Sequence, residues 1–457
     1  MERELSSFRD PSGHLYHHAG QIFRQVNAPY SAHYDHLKTS GLYQALTEAG
    51  LLIPHEECAP EEAGAPTSAW KILSPERVGF ISYPYEWPFG LYKEAALTTL
   101  KIQEIALDHG MTLKDASAYN IQVHKGRCLL IDTLSFEKYE KGTPWIAYRQ
   151  FCQHFLAPLS LMARVGPETG LLMRDFIDGI PLDLACRMLP YTSRFSPGLG
   201  MHLFLHAGSQ SKHAGNQKSA SKSTVTLHSL KGMIDNLAST IEKLELPRKL
   251  QTEWSNYHEK HNYSNRAHDE KAKIVEAFVK KVSPESVWDL GANTGNYSRI
   301  AARTARQVVA LDIDPLCTHM LHGGRENAER TILPLTMNLA NPSPGIGWAG
   351  SERQSLTDRG PADVAMALAL IHHLAIVNNV PLSGIASYFS SLGKHLIIEW
   401  IPKSDSQIQL MLKNRRDIFG DYSLDSFERH FGESFEILEK VPVPESERTL
   451  YLMRRHE

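Results

Sequence analysis

The stretch VWDLGANTGNYSRIAA, residues 287–302, decides how the chain is read. A short apolar strand carries Asp289 near its end, Gly291 and Gly295 stand four apart, and a helix-like run follows. In a strand-to-helix turn such glycines let the backbone approach a ligand and present amide N–H groups near a helix start. The second half of the pattern lies about twenty residues on. There Asp312 closes the next apolar run, VVALD, where an acid in this type of fold accepts hydrogen bonds from ribose hydroxyls. Asp314 is the alternative ribose partner.

Working outward, SVWDLG, QVVALDID, RTILPLTMNL, ADVAMALALI, KHLIIEWI, FEILEKVPV and RTLYLMRR are short apolar runs, most of them separated by helix-compatible or loop segments. Such alternation predicts an α/β domain: a mainly parallel sheet with helices on both faces. The last two runs lie close together, as an antiparallel hairpin finishing the sheet would. Upstream, LHSLKGMIDNLASTIEKLEL and RAHDEKAKIVEAFVKKV have apolar residues at helical spacing. Before them, AGSQSKHAGNQKSASKSTVTL has almost no large apolar residue and reads as a flexible linker. The expected organisation is an N-terminal α+β region over residues 1–206, a linker over 207–227 and a cofactor-binding Rossmann-like domain over 228–457.

Two details select the ligand. A dinucleotide loop needs a small residue at its middle position, but Asn293 stands there, and Asp289 would repel a pyrophosphate. An ammonium, a sulfonium and a ribose are all compatible with acids. With these residues the segment from about 263 to the C-terminus resembles the class I S-adenosylmethionine-dependent methyltransferases, whose first motif is acid-x-G-x-G-x-G and whose second is an acid closing the second strand. The resemblance implies a mixed seven-stranded sheet, with Asp289, Gly291, Asn293, Gly295 and Asp312 holding S-adenosyl-L-methionine. Asn293 replaces the usual middle glycine, and Asn tolerates left-handed backbone better than most residues. Asn338, after Met337, ends the third strand where the class recognises adenine, without the usual acid. Tyr263 precedes the helix leading into the sheet, where it either caps the cofactor or only packs.

The resemblance also sets His372 and His373, in ALIHHLAI, beside the donor methyl group. Glu399 and Trp400 end the fifth strand and are expected to face the same cleft, with Lys403 and Asp405 beginning the loop beyond. The candidate proton acceptors are therefore His373, His372 and Glu399. Trp400 either offers its face to a sulfonium or packs under the next helix. No third ligand accompanies the two histidines, whose adjacent side chains point in different directions, so no metal site is expected.

In the N-terminal region, LKDASAYNIQVHKGRCLLIDTLSF resembles the catalytic stretch of kinase-like phosphotransferases. By position Asp115 would be the base and Asn120 and Asp132 the magnesium ligands. No glycine-rich phosphate loop stands near GHLYHHAGQIFRQV, where Arg24 occupies one plausible strand. The aromatic piece around Tyr85, Trp87 and Phe89 describes a packed core or, if exposed, a ring-stacking surface. Together, SYPYEWPF, LKDASAYNIQ, IDTLSFEKY, AYRQFCQHFLAPL and EWIPKSDSQIQ resemble two-part bacterial proteins related to the NoeA nodulation protein.

The chain has 457 residues, enough for two or three domains, and 48 basic against 51 acidic residues leave a formal charge of −3. No electrostatic footprint for nucleic acid or an anionic membrane surface results. Five cysteines, scattered without C-x-x-C spacing, read as free thiols in a reducing compartment, and the N-terminus has no apolar signal-like core. The expectation is a cytoplasmic methyltransferase whose acceptor, a small molecule, a glycan or a protein, is unidentified. Its rivals are a non-catalytic metabolite-binding regulator and a bifunctional phosphotransferase-methyltransferase.

Overall fold

The computed structural model describes residues 2–61, 63–64, 69–205, 225–247, 250–252, 265–326, 329–413 and 416–457. The chain forms two compact units. One comprises residues 1–249 together with 345–353, and the other residues 250–344 with 354–457.

In the second unit, seven strands make one mixed sheet: β1 (Ser286–Leu290), β2 (Gln307–Asp312), β3 (Ile332–Thr336), β4 (Ala362–Ala367), β5 (Gly393–Trp400), β6 (Phe435–Pro442) and β7 (Thr449–Arg455). Their order is β3-β2-β1-β4-β5-β7-β6. The first five are parallel, while β7 runs antiparallel to both β5 and β6. Strands 1 to 5 are nearly continuous apolar runs because helices cover both faces. Pro334 falls in β3, at the edge of the sheet, where a missing N–H costs no ladder bond. The helix Asn265–Val282 lays Val275, Phe278 and Val279 against Val287, Val308, Val364 and Ile397.

Order reverses at β1, with β2 on one side and β4 on the other. Parallel strands put their carboxyl ends on one edge, so the loops after β1, β2, β3, β4 and β5 gather there.

The first unit holds a five-stranded antiparallel sheet in the order Glu2–Arg3, Gly13–His18, Gln21–Val26, Lys71–Pro75, His55–Cys58. Helices Ser31–Thr39 and Leu42–Glu48 come between its third and fourth strands in sequence. The long helix Phe89–Asp108 follows, then the pair Met111–Leu113 with Phe136–Lys138 and the hairpin Ile121–His124 with Arg127–Leu130. Tyr85, Trp87 and Phe89 are buried, which settles them as core rather than as a stacking surface.

The boundaries differ from the sequence expectation. Helix Leu227–Glu242 packs on helix Phe89–Asp108 and belongs with the first unit, so the second unit begins at 250 rather than 228. Of the expected linker, 207–224 lies outside the described residues, and Leu227 already starts that helix. Among the described residues no helix is long and apolar enough to cross a membrane.

Candidate functional site

The loop after β1 is built from three left-handed residues: Gly291 at φ 81°, Asn293 at φ 50° and Gly295 at φ 88°. Asn293 does adopt the conformation that a glycine would take at no steric cost. Its side chain steadies the turn, since Oδ1 accepts the backbone N–H of Thr294 at 2.8 Å. Gly295 has a second constraint: a Cβ there would lie 2.4 Å from Cδ1 of Leu321.

The acid at the end of β2 fastens this loop. Asp312 Oδ2 accepts the backbone N–H of Asn293 at 2.7 Å, and Oδ1 accepts that of Asp314 at 2.8 Å. Burial pushes its carboxyl up to about 6, against the pull of these two backbone donors. Asp289 is likewise pushed up to about 6 by burial, opposed by the hydroxyl of Ser298, which donates to its Oδ2 at 2.5 Å. Asp314 is occupied differently: its Oδ1 caps the helix Pro315–Gly323 by accepting from the backbone N–H groups of Leu316 and Cys317, while Oδ2 is buried with no hydrogen-bond partner among the described residues. Ile313 between them is 55% exposed, an apolar surface beside the ribose-type acid that the sequence reading did not single out.

After β3, Met337 is buried and donates its backbone N–H to the carbonyl of Asp312 at 2.7 Å. Asn338 is exposed, with Oδ1 accepting the N–H of Ala340. Tyr263 lies outside the described residues.

After β4 the chain turns through Ala369, another left-handed residue at φ 52°, into the histidine pair. The rings of His372 and His373 lie 4.1 Å apart. Burial lowers both, His373 to about 4 and His372 well below its ordinary value, so both imidazoles are neutral near pH 7. Nδ1 of His372 is buried with no hydrogen-bond partner among the described residues.

Glu399 and Trp400 do not face one cleft, because successive strand residues point to opposite faces. Trp400 stacks on Tyr422 and Phe427, at 4.7 and 4.9 Å, so it is core. Glu399 is fully buried on the other face and already engaged: Oε2 meets the Lys271 ammonium at 2.8 Å and the Ala369 N–H at 2.7 Å. Arg448 approaches its Oε1 at 3.8 Å and binds Asp405 Oδ2 at 2.8 Å through Nε. A carboxylate so committed to cations is a structural anchor in this geometry, not an accessible base. Lys403, by contrast, reaches outward to Asp417.

Lys271 was missed from sequence. Its signal was its position, four residues from both Ala267 and Val275 on the buried stripe of the helix Asn265–Val282, where a lysine demands a partner.

In the first unit the structure does bring the kinase-like residues together. Asp115 accepts from the Ser117 N–H and from Gln150, and burial followed by the neighbouring Asp132 raises its carboxyl. Asn120 donates to Ser135 Oγ at 3.3 Å. Asp132 is held by Arg24 at 2.5 Å, by the Leu134 N–H and by the Ser135 hydroxyl. Among the described residues no group of three or more His, Cys, Asp or Glu side chains is arranged to hold a metal ion.

The second unit is thus a Rossmann-like α/β unit with its glycine turn and acid at the point where strand order reverses. The whole chain belongs to the family of the nodulation protein NoeA of Rhizobium meliloti (strain 1021), to which it is 32% identical over 461 residues, spanning 100% of this chain and 96% of that protein. No family model matches it. Among solved structures, the N-methyltransferase NodS of Bradyrhizobium japonicum WM9 with S-adenosyl-L-homocysteine aligns at 10% identity and a TM-score of 0.32, over 45% of this chain and 100% of that one. Magnesium protoporphyrin IX methyltransferase of Synechocystis PCC 6803 with bound SAM aligns at 16% and 0.30, over 46% and 86%. The bifunctional kinase-methyltransferase WbdD aligns at 14% and 0.32, over 46% and 45%.

Proposed function

We propose that the second unit binds S-adenosylmethionine across the β1 and β2 edge and transfers its methyl group to an acceptor at the β4 edge. The observation that carries this is the Gly291–Asn293–Gly295 turn latched to Asp312: a tight backbone cradle joined to a buried acid at the strand switch point. The residues suit the group. Asp312 retains lone pairs for ribose hydroxyls beyond its two backbone donors, and Ile313 offers an apolar surface for a planar base. The absence of an acid at Asn338 leaves adenine to be recognised by shape and backbone.

When bound, the sulfonium supplies an already activated methyl group. The chain's own work is alignment and exclusion of water. His373, kept neutral by burial, can take the proton released when a hydroxyl or amine nucleophile attacks the methyl group. Glu399 keeps the β5 edge in place through Lys271 and Ala369 instead of exchanging protons.

Calorimetric titration with S-adenosylmethionine, S-adenosylhomocysteine and NAD, on the intact protein and an Asp312→Ala variant, tests the reading. Micromolar binding of the first two, lost in the variant, supports it; preferential binding of NAD overturns it. A metabolite-sensing regulator would bind the donor without forming S-adenosylhomocysteine in an acceptor screen.

For the first unit a kinase-like scaffold is favoured by one observation: Arg24, Leu134 and Ser135 already occupy the oxygens of Asp132. Magnesium-dependent ATP binding that Asp132→Ala abolishes would favour the phosphotransferase reading instead.

A further inference from the structure

We infer that Lys271 is a positioning residue for the histidine turn at the end of β4, acting through Glu399. This rests on the methyltransferase reading for what the turn serves, but its geometry stands independently.

The connection runs through atoms in contact. The Lys271 ammonium lies 2.8 Å from Glu399 Oε2, and that same oxygen accepts the N–H of Ala369 at 2.7 Å. Ala369 is the left-handed residue that starts the turn, a conformation a β-carbon disfavours and the surroundings must hold. One residue on, the carbonyl of Leu370 accepts the N–H of His373 at 2.9 Å. Lys271, Glu399, Ala369, Leu370 and His373 therefore form one continuous path from the helix Asn265–Val282 to the imidazole proposed as proton acceptor.

Lys271 is the cation in direct contact with this carboxylate. Among the described residues the other cation near Glu399 is Arg448, which is farther from it at 3.8 Å and has its Nε bound to Asp405. A buried charge that loses its contacting partner is costly, and the structure relaxes by letting water or a rearranged turn reach it. Tyr297, whose ring centroid lies 4.8 Å from the ammonium, fixes the lysine from the glycine-loop side. Lys271 thus links the helix after that loop to the β4 turn. Its burial lowers its proton affinity, countered mainly by Glu399, which is how the pair stays matched.

Lys271 has a role here that a packing residue would not have: it neutralises the carboxylate that holds Ala369. Replacing the pair by Lys271→Met with Glu399→Gln removes the cation and the need for it, while an amide oxygen still accepts the Ala369 N–H. The single Lys271→Met variant should disturb the turn, and the double variant should restore it.

The experiment follows the ring signals of His372 and His373 by NMR through a pH titration, assigned with His372→Gln and His373→Gln. Because His373, Arg448 and Lys271 all act on His372, the His373 midpoint is the cleaner readout. In Lys271→Met it should rise from about 4 by about one unit, a tenfold gain in proton affinity, as water enters the loosened turn. In the double variant it should return to the wild-type value. Unmoved His373 signals in a folded Lys271→Met protein overturn the inference, as do displaced signals in a folded double variant. If Lys271→Met does not fold, the double variant alone decides. Titration of the wild type with S-adenosylhomocysteine separates the two proposals: no binding with an intact imidazole response sinks the donor site only, and binding with unmoved imidazoles sinks the positioning role only.

Discussion

Asp312 and Asn293 are nineteen residues apart in sequence, yet the carboxylate of one accepts the backbone N–H of the other at 2.7 Å. The residue expected to hold a ribose is therefore also the residue that shapes the loop. Asp312→Asn tests both roles at once, because the amide keeps one acceptor oxygen and loses the charge. A hydrogen bond to a charged group contributes about 1.5–3 kcal/mol. Affinity for S-adenosylhomocysteine should accordingly fall by roughly tenfold or more, as each 1.4 kcal/mol is a factor of ten. Calorimetry checks this, and unchanged affinity would remove Asp312 from the site.

Asn293 stands where a glycine is usual, and its φ of 50° explains how. Asn293→Gly should cost little, since glycine adopts the same conformation, although the side-chain bond to Thr294 is lost. Asn293→Val puts a β-branched residue in left-handed backbone and should cost on the order of 1–2 kcal/mol. Thermal unfolding and donor titration of the two variants should rank them wild type, glycine, valine; a valine variant equal to the glycine one would contradict the geometry.

The two buried acids give a pH signature. In the folded chain burial holds Asp289 and Asp312 near 6, above the ordinary value of 3.8. The folded state therefore binds more protons than the unfolded state between about pH 4 and 6, and the stability these groups contribute is present below the unfolded value and lost as pH rises through about 6. Donor binding should change in the opposite sense, because ribose hydroxyls donate to the ionised carboxylate. Affinity for S-adenosylhomocysteine should tighten as pH rises from 5 to about 7 and then level off. Asp312→Asn should remove the Asp312 part of that rise, which titrations across this range can show.

Much of the second unit was legible because its signals are local. Strand runs, the glycine turn and the acid ending β2 are each set by neighbours within a few residues, and strand alternation with helices fixed the sheet type. What escaped depends on partners far along the chain. Glu399 looked like a cleft base because its strand ends at the right edge, but Lys271, 128 positions earlier, takes it up. Trp400 could have been separated from Glu399 by the two-residue period of a strand, which alone sends them to opposite faces. The placement of β7 between β5 and β6 is not a local property either, since a hairpin signal says which strands pair but not which one meets the rest of the sheet. In the first unit the cluster of Asp115, Asn120 and Asp132 was visible in their spacing, whereas the ion pair from Arg24 to Asp132 spans the fold.

The first unit is discontinuous in sequence, and the ion pair between Arg9 and Glu352, 343 residues apart, ties its late segment to its start. The contact is two-pronged, Nε to Oε1 at 2.7 Å and Nη2 to Oε2 at 2.8 Å. The Glu352 side chain is 1% exposed while that of Arg9 is 52% exposed, so removing the arginine leaves a buried carboxylate with Arg353, at 3.6 Å, as the remaining cation among the described residues. Arg353 also lies over the ring of Tyr119, its guanidinium 4.6 Å from the centroid, so disturbance at Glu352 reaches the residue next to Asn120. Discounted for the solvent at Arg9, Arg9→Met should destabilise by on the order of 1–3 kcal/mol. Arg9→Lys should fall between, because an ammonium cannot reproduce the two-pronged geometry. Glu352→Gln should be milder than Arg9→Met, since it leaves no buried charge and keeps an acceptor for the Trp348 N–H. Thermal unfolding of the three variants tests the order. Arg9→Met melting with the wild type would show that Glu352 is satisfied without Arg9.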